Sequence, residues 1–460
     1  MTPADEARAR LAEEEVRRLA YVDSVTGLGN RVAMLQEIDE LGAPPREGRA
    51  FAAFLTASVD ELSTVNDAFG FEAGDRLLLE SSKRLRQLEG DGVSIARIGS
   101  NTFGVLLCDL GPDLAEAQRQ VRSVIDRVLD LLVDIVDLGS GVTVGTGACL
   151  GYVIWAPEDA DLGSWLDARD YIVTNDANEI VKCSEIARKR SRRMNGQRRV
   201  QQFEQRMLDA VHERMMLVSE LRSAIGESDL QLFAQPIVDR DRRVIGYEGL
   251  IRWQHGCHGL VPPDTFIPLA EQTGLIVEIG DFVLEEACRV LAGWAQREAT
   301  RDWTFSINLS ERELRVPDFV ERVLGTAEKH GVPEGRLKLE LTESVLHRDI
   351  DRTVRVLQTL REAGVMSSLD DFGTGYSSLS YLRQLPVQQL KIDRSFVSSI
   401  VDDAQAAAVT ETIVQLGRIF DLQVVGEGVE SEAQFQKLCE LGVDAFQGYL
   451  FGRPERVTAG

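Results

Sequence analysis

The sequence predicts two α/β domains joined by a helix, and the second domain is expected to be a TIM-like (β/α)8 barrel. The prediction follows from a change of rhythm along the 460 residues. After about residue 226, short β-type segments alternate with longer helical ones, which is the pattern of parallel strands connected by helices. These segments fill about 230 residues, close to the ~250 residues that such a barrel usually takes.

Eight strand candidates carry the barrel prediction. Eight strands with intervening helices fit a closed barrel better than an open sheet. In chain order the candidates are residues 230–238, 244–251, 304–309, 337–341, 367–370, 389–392, 423–425 and 445–450.

The chain ahead of the barrel divides into three segments. Residues 1–20 are charged and predicted to form a helix, whose imperfect apolar stripe could pair with another copy of the chain. Residues 21–200 mix strand-like and helical runs, which indicates an α/β domain. Residues 201–226 continue a charged helical pattern without Pro, so they are expected to form the linker helix to the barrel domain at 227–460.

Composition excludes several classes of function. A formal net charge of -23 repels polyanions, so no nucleic-acid polymer is expected as a partner. The arginine-rich segment 188–199 is interpreted as a solvated helical face, because no aromatic residues for base stacking are interleaved in it.

The sequence also predicts the compartment. It contains no apolar run near the ~20 residues of a membrane span, and its N-terminus lacks the apolar stretch of a secretory signal, so a cytoplasmic location is expected. Six cysteines are scattered without CxxC pairs and are expected to be reduced thiols. They are Cys108, Cys149, Cys183, Cys257, Cys288 and Cys439.

Strand parity predicts which side chains face the barrel interior, because side chains alternate between the two faces of a strand. In residues 336–341 the leucines share one face, and Lys338 and Glu340 share the other. The same reasoning places Asn308 and Lys391 inward. Chemistry in barrels of this kind lies at the carboxyl ends of the strands.

An oxygen-rich set of side chains gathers at those strand ends. Such a set, poor in His and Cys, favours Mg²⁺ or Mn²⁺ over zinc. The adjacent Asp370 and Asp371 could bridge two ions ~3.5–4 Å apart, the arrangement that activates water against a phosphodiester. Arg252 and Lys391 supply positive charge. The six oxygen-bearing residues are Glu248, Asn308, Glu340, Asp370, Asp371 and Glu427.

Each of these residues alone has a simpler interpretation. A single Glu at a strand end is more often a surface residue, and Asp370-Asp371 ahead of residues 372–375 is compatible with plain turn chemistry. Six oxygen ligands and two cations at strand ends are hard to explain jointly on structural grounds. The sequence therefore favours a two-metal site.

The second half resembles EAL-type cyclic-di-GMP phosphodiesterases along its whole length. Gly249 stands where Ala names the motif, and neither metal nor phosphate depends on that side chain. The matching segments are Gln235-Pro236-Ile237-Val238, Glu248-Gly249-Leu250-Ile251-Arg252-Trp253, Asn308-Leu309-Ser310, Glu340-Leu341-Thr342-Glu343, residues 370–378, Lys391-Ile392-Asp393, Glu427-Gly428-Val429-Glu430 and Gln447-Gly448-Tyr449.

The resemblance implies hydrolysis of one phosphodiester of cyclic-di-GMP to give linear pGpG, with two Mg²⁺ or Mn²⁺ ions per active site. It implies that Glu248, Asn308, Glu340 and Asp370 hold one ion, and that Asp370, Asp371 and Glu427 help to hold the other. The remaining roles follow the same resemblance: catalytic Glu248, Lys391 and Glu427; substrate-binding Gln235, Arg252, Asp393 and Gln447; and Glu343 and Glu430 as anchors of the 370–378 loop.

The first half resembles a GGDEF-type diguanylate cyclase domain, which implies a central, mainly antiparallel sheet. Residues 23–31, 66–70 and 74–75 carry the match. The signature turn is broken, because residues 99–103 read Gly-Ser-Asn-Thr-Phe where the family has Gly-Gly-Asp-Glu-Phe.

Other positions of that family are also replaced. Ser58 stands where another metal-binding Asp is expected, Ser63 where a phosphate-contacting Lys is usual, and Val93 at the acidic position of the product-inhibition site. No cyclase activity is expected without those carboxylates. Asn66 and Asp75 leave GTP or cyclic-di-GMP as a regulatory ligand, but a scaffold or dimerisation role is favoured.

Three functions remain open at this point. An active phosphodiesterase ranks first because no catalytic position is missing. A cyclic-di-GMP receptor that binds without cutting ranks second, since such receptors typically lose acids, and a protein-interaction platform leaves the acids unexplained. The two predicted helices, one at the start of the chain and one between the domains, suggest a homodimer. Its geometry is expected to be transmitted to the loop after Asp370.

Overall fold

A computed structural model of the chain describes residues 18–41, 51–90, 92–139, 141–156, 171–196, 198–227, 229–343, 345, 349–373 and 382–457. The chain forms two compact units that divide between Glu213 and Arg214. Most of the predicted N-terminal helix lies outside the described residues, so its pairing with another copy stays a prediction.

A seven-stranded sheet forms the centre of the first unit. Its order is β1-β3-β4-β2-β7-β8, with β9 also paired to β7. The central pairings β3–β4, β4–β2 and β2–β7 are antiparallel, which confirms the mainly antiparallel sheet, whereas β1, β8 and β9 pair in parallel. The strands are β1 Gly29–Asn30, β2 Ala52–Val59, β3 Val93–Arg97, β4 Thr102–Leu107, β7 Ala148–Ala156, β8 Ile172–Val173 and β9 Arg198–Gln202, beside a hairpin of β5 Ile135–Gly139 and β6 Val142–Gly145.

Helices cover both faces of this sheet. Strand β2 is buried on both sides, because Leu55 packs in one apolar core and Phe54 in another. The helices are Arg31–Leu41, Leu62–Phe69, Phe71–Leu85 with a 3₁₀ turn Arg86–Leu88, Leu114–Leu132 and Ala177–Ser191.

The arginine-rich segment differs from its sequence interpretation. Arg198 and Arg199 lie in strand β9 and pair with Asp130 and Asp60. Only part of the segment is therefore helical. The Arg199 side chain is 13% exposed beside Asp60, whereas Arg198 forms an exposed pair with Asp130.

The second unit is built on a closed barrel. Its strands pair in the order β11-β13-β14-β15-β16-β17-β18-β10, and β10 pairs again with β11. The eight-stranded barrel predicted from the sequence is confirmed. Its strands are β10 Leu230–Asp239, β11 Val244–His255, β13 Thr304–Leu309, β14 Leu337–Thr342, β15 Met366–Phe372, β16 Gln389–Ile392, β17 Gln423–Gly426 and β18 Ala445–Gln447, with β12 Gly259–Val261 and β19 Glu455–Arg456 as additions.

Three details of the predicted elements were wrong. Strand β10 runs antiparallel to both neighbours, because the four residues 240–243 before β11 are too few for a crossover helix. Strand β18 ends at Gln447 rather than residue 450, where the backbone turns and the N–H of Phe451 donates to the carbonyl of Gly448. The linker helix begins at Gln205, since residues 200–202 belong to β9.

Helices surround the barrel and bury one face of its strands. Leu337, Leu339 and Leu341 of β14 are each at most 2% exposed and lie in the core between barrel and helices. The helices are Gln205–Glu227, Pro263–Thr273, Ile276–Ala295, Glu311–Leu314, Phe319–His330, Ile350–Glu362, Arg394–Ser399, Ala404–Phe420 and Glu432–Leu441.

Two further predictions concern the whole chain. Among the described residues, no helix is long and apolar enough to cross a membrane. All six cysteines are free thiols, as the sequence predicts.

Candidate active site

The buried cation Lys391 lies at the centre of the barrel mouth. Its Nζ is 2.5 Å from Glu340 Oε2 and 2.5 Å from Glu427 Oε1, and it is 3.3 Å from Asp370 Oδ1 and 3.4 Å from Glu248 Oε2. Burial opposes the charge on this ammonium, but the four carboxylates outweigh burial and raise the pKa of Lys391 well above its usual value. One cation thus binds four acids that arrive from four different strand ends.

Amide side chains orient the first of these acids. Asn308 Nδ2 donates to Glu248 Oε1 at 2.8 Å, and Gln447 Nε2 donates to Glu248 Oε2 at 2.7 Å. Gln447 Nε2 also donates to Gln235 Oε1 at 3.1 Å. The Nε2 atom of Gln235 in turn donates to the carbonyl of Gly452. Burial raises the pKa of Glu248, but the charge of Lys391 and these amide donors together lower it, so Glu248 is ionised.

The site carries more negative charge than Lys391 compensates. Burial, with repulsion between neighbouring acids, raises the pKa of Glu340 to about 7, that of Asp371 to about 6, and that of Glu427 well above its usual value. Glu340 Oε1 is buried and has no hydrogen-bond partner among the described residues. Lys338, one layer below on β14, is also buried, and burial lowers its pKa to about 8.

Three of the acids approach each other closely enough to share one ion. Single carboxylate oxygens of Asp370, Asp371 and Glu427 all lie within 4.8 Å of one another. Asp371 has a positive φ of 52°, its N–H donates to Asp370 Oδ1 at 3.0 Å, and its side chain is hydrogen-bonded to Asp393. The left-handed backbone turns this carboxylate back toward its neighbour at the end of β15, which is where strain at functional sites concentrates.

Arg252 stands at the rim rather than in the acid cluster. Its guanidinium lies 5.8 Å from the centre of the Phe233 ring, and its Nη1 donates to the carbonyl of Ile251 at 2.9 Å. The side chain is half-buried, and a guanidinium has five N–H donors, of which this contact uses one.

A cavity of about 510 Å³ opens beside the acids. Asn308 borders both the acid cluster and the cavity, so a ligand could contact the two together. Apolar side chains form most of the wall, and carboxylates stand among them. The walls include Leu250, Pro263, Ile267, Pro268, Ile279 and Leu309, and the acids are Asp264, Glu271, Glu311 and Glu313.

The predicted loop anchors differ from each other. Glu343 is 5% exposed, and neither carboxylate oxygen has a partner among the described residues. Glu430 is exposed, and its backbone N–H donates to Gln434. The loop that they are expected to anchor lies outside the described residues beyond Gly373, so both roles remain predictions.

Sequence reasoning did not single out Glu313, His255 or the acidic residues of the cavity wall. Glu313 had a visible signal, because Ser310-x-x-Glu313 is a capping box, and the structure forms it at helix Glu311–Leu314. Asp264 and Glu271 had none, because helix–barrel packing brings them to the cavity and no local pattern encodes that packing.

Two positions of the first unit that lack the family's acids contact other segments of the chain. Asn101 Nδ2 donates to the carbonyl of Val59 at 2.8 Å, and Arg188 Nη1 donates to Ser58 Oγ at 3.2 Å. Asn66 packs on Gly74, where an added Cβ would lie 1.9 Å from Asn66 Oδ1. A guanidinium therefore contacts the position at which the resemblance expects a metal-binding Asp.

Family comparisons match both halves of the chain. The EAL domain model matches residues 218–454, and the model for the diguanylate cyclase GGDEF domain matches residues 20–175. The first covers just over half of the chain.

Individual relatives extend over nearly the whole chain. The bifunctional diguanylate cyclase/cyclic di-GMP phosphodiesterase MucR of Pseudomonas aeruginosa is 36% identical over 445 residues, which cover 96% of this chain and 61% of MucR. The cyclic di-GMP phosphodiesterase NbdA of the same organism is 33% identical, covering 97% of this chain and 54% of NbdA. This chain therefore spans about half to three fifths of the length of these relatives.

A solved structure resembles the second unit. The phosphodiesterase PaMucR in complex with c-di-GMP is 44% identical, with a TM-score of 0.51, and the match covers 53% of this chain and 98% of that one. The covered share is about the size of the second unit of this chain.

Proposed function

This chain belongs to the EAL-domain family and carries a GGDEF domain ahead of its barrel, and from that premise we propose that it hydrolyses cyclic-di-GMP to linear pGpG. One observation carries the proposal: acids from separate strand ends converge on a single buried lysine, Lys391, at the mouth of the barrel. A purely structural network does not need this excess of buried acid.

The acid set fits two divalent ions. Its ligand atoms are carboxylate and amide oxygens, which Mg²⁺ and Mn²⁺ prefer. Glu340 Oε1, which has no partner in the part of the chain that the structure describes, needs a cation or a donor. Such ions would polarise the phosphoryl group and lower the pKa of an attacking water. We propose that Glu248, Asn308, Glu340 and Asp370 hold one ion and that Asp370, Asp371 and Glu427 hold the other.

The chain's own residues prepare the attacking water. We propose that Glu427, whose Oε1 lies 2.5 Å from Lys391 Nζ and whose pKa is raised, accepts a proton from the attacking water. Lys391 stays protonated and holds that carboxylate in place. Gln447 and Asn308 keep Glu248 ionised and oriented, so that its charge remains available.

Substrate contacts surround the acids. We propose that Arg252 grips a phosphate, that Gln235, Asp393 and Gln447 contact the substrate, and that the cavity receives a guanine base. Apolar walls suit the faces of a purine, and the carboxylates of Asp264 and Glu271 can accept its N–H donors.

The decisive experiment follows conversion of cyclic-di-GMP to pGpG with Mg²⁺ or Mn²⁺ by chromatography. The wild type is expected to turn over, and Glu248→Ala to lose at least ~100-fold in rate. The exposed Glu321→Ala serves as a control for surface charge. Turnover by Glu248→Ala at the wild-type rate contradicts the proposal. Tight binding without turnover by the wild type favours the receptor function.

We propose that the first domain makes no cyclic-di-GMP. Ser58 and Asn101 offer a hydroxyl and an amide in place of two carboxylates, and the guanidinium of Arg188 repels a divalent ion there. The Glu248→Ala background tests this cleanly, because any product made from GTP would accumulate in it. A GTP-dependent change in the wild-type hydrolysis rate would instead reveal GTP as a regulatory ligand.

A homodimer is the proposed assembly. The linker helix Gln205–Glu227 exposes the adjacent Met215 at 68% and Met216 at 62%, an apolar surface that a second copy of the chain can cover. Sedimentation velocity tests it: the wild type should be dimeric and Met215→Glu/Met216→Glu more dissociated. A wild-type monomer with full activity contradicts the proposal.

A further inference from the structure

His255 organises the hairpin turn between β11 and β12. Its imidazole is 6% exposed, and its Nδ1 accepts hydrogen bonds from the backbone N–H groups of Cys257 and His258, each at 3.1 Å. Because Nδ1 accepts hydrogen bonds from two N–H groups, it carries no proton, and the proton of the neutral ring is on Nε2. Nε2 lies 3.1 Å from Glu220 Oε2 and donates to it.

The two partners belong to elements that have different tasks. Glu220 lies on helix Gln205–Glu227, which begins in the first unit and ends in the second, where its Leu221 and Ala224 are buried in the barrel core. His255 is the last residue of β11, the strand that also carries Glu248 and Arg252. The hydrogen bond therefore ties the domain-connecting helix to the strand that supplies substrate contacts.

Aromatic rings extend this connection to the cavity. The His255 ring packs edge-on against Trp253 at 4.9 Å, and Trp253 packs against Phe266 at 5.8 Å. Phe266 lies on helix Pro263–Thr273, which forms one wall of the cavity. A displaced His255 would disturb both the end of β11 and this wall.

Arg252 depends on the same segment. Its guanidinium contacts the Phe233 ring and the carbonyl of Ile251, its own neighbour in β11. The Ile251 carbonyl moves with the β11 backbone. Phe233 lies on β10, so its ring contact with Arg252 holds only while the end of β11 keeps its place beside β10. Glu248 lies deeper and has its own donors in Asn308 and Gln447.

We infer that Glu220 and His255 form a positioning pair that holds the end of β11, and with it Arg252, where the phosphate of the substrate binds. The inference rests on the proposed function of the barrel. The pair does not touch the reacting atoms, so its loss weakens substrate binding and leaves the chemical step intact. It also makes substrate affinity sensitive to the position of the connecting helix.

Two near-isosteric variants separate the two hydrogen-bonding ends of His255. The amide oxygen of His255→Asn takes the place of Nδ1 and keeps the turn, but this variant cannot reach Glu220. His255→Gln reaches Glu220 with its terminal amide and loses the acceptor of the turn. Glu220→Ala removes the partner, whereas Glu220→Gln retains an oxygen that accepts from Nε2–H.

Steady-state hydrolysis of cyclic-di-GMP is the first readout. We expect Glu220→Ala and His255→Asn to raise KM by roughly ten-fold with kcat within about two-fold, and Glu220→Gln to restore a KM near the wild-type value. Arg222→Ala, an exposed change on the same helix, is the matched control and should behave as wild type. An unchanged KM in both Glu220→Ala and His255→Asn, or a loss confined to kcat, overturns the inference.

Amide hydrogen exchange is the second readout and requires no turnover. The N–H groups of Cys257 and His258 should exchange faster in His255→Gln than in His255→Asn, because only Asn keeps their acceptor. Equal exchange rates in the two variants contradict the assigned tautomer and the role of His255 in holding the turn. If the wild type neither binds nor cleaves cyclic-di-GMP, the proposed function fails, and the role of this pair in substrate binding fails with it. Hydrogen exchange still decides whether His255 holds the end of β11.

Discussion

The Nζ atom of Lys391 lies 2.5 Å from Oε2 of Glu340, and both side chains are at most 1% exposed. A buried pair of this kind gains little over an apolar one, but removing one partner leaves an uncompensated charge. Here the remaining charge would be shared by Glu248, Asp370 and Glu427 as well. Lys391 therefore balances the acids as long as no other cation is bound.

Lys391→Met should destabilise the metal-free protein much more than the metal-loaded one. Without the ammonium, the buried acids must repel each other or take up protons, at a cost of about 3–5 kcal/mol. Divalent ions can replace the lost charge, so Mg²⁺ should raise the melting temperature more in the variant than in the wild type. Hydrolysis should be lost under both conditions.

Thermal melts with chelator and with Mg²⁺ measure this difference. Lys329→Met is the control, since Lys329 forms a pair with Glu285 in which its side chain is 63% exposed. If Mg²⁺ raises the melting temperature equally in Lys391→Met and in the wild type, Lys391 and the metal ions do not neutralise the same acids.

Restoring the family's usual Ala at position 249 should destabilise this protein. A Cβ on Gly249 would lie 2.5 Å from Cε1 and 3.1 Å from Cζ of Phe305 on the neighbouring strand. Both atoms belong to a stiff, fully buried ring, so Gly249→Ala should cost about 1–3 kcal/mol.

A double-mutant cycle tests the cause. Phe305→Leu makes room for the methyl group, so Gly249→Ala should cost less in that background than in the wild type. Chemical denaturation of the four proteins gives the coupling free energy. Additive costs would mean that the Phe305 ring does not set the choice of Gly at this position.

Local periodicity explains how much of the site the sequence predicts. Side-chain direction in a strand follows from period two, so the inward positions of Glu340 and Lys391 could be deduced from their leucine neighbours alone. The direction of β10 could also have been deduced, because the residues before β11 are too few for a crossover.

Contacts between distant segments could not be predicted in this way. Glu220 and His255 are 35 residues apart, and Ser58 and Arg188 are 130 apart. Their meeting depends on how helices pack on a finished sheet, which neither periodicity nor composition encodes. The cavity wall has the same origin, since helix Pro263–Thr273 meets the barrel only in the folded chain.

Glu313→Gln should stabilise the barrel domain in a pH-dependent way. Burial, with a contribution from Asp281, raises the pKa of Glu313 from 4.5 to about 7, although Ser310 donors and Arg322 oppose the shift. The folded state therefore holds more protons than the unfolded state between these two values, and stability falls as pH rises through that window. The ionised carboxyl costs up to about 3 kcal/mol above pH 7.

Melting temperatures at pH 5 and pH 8 measure this effect. Gln keeps an oxygen for the Ser310 donors and carries no charge, so the variant should melt higher than the wild type at pH 8, and the difference should shrink toward pH 5. Glu311→Gln, on the same short helix but nearer the surface, is the control. A difference that is independent of pH would contradict a raised pKa for Glu313.

Ser58→Asp should stabilise the first domain without creating a metal site. Ser58 is buried and Arg188 Nη1 already lies 3.2 Å from its Oγ, so a carboxylate at this position would form an ion pair with that guanidinium. The charge that would attract Mg²⁺ is then neutralised by a group of the protein. We expect a higher melting temperature, no further Mn²⁺ bound per chain in equilibrium dialysis, and no cyclic-di-GMP made from GTP.

In Ser58→Asp/Arg188→Ala the carboxylate loses its partner, and the stabilisation should vanish. Additional Mn²⁺ bound by Ser58→Asp alone would show that Arg188 leaves this position open to a divalent ion.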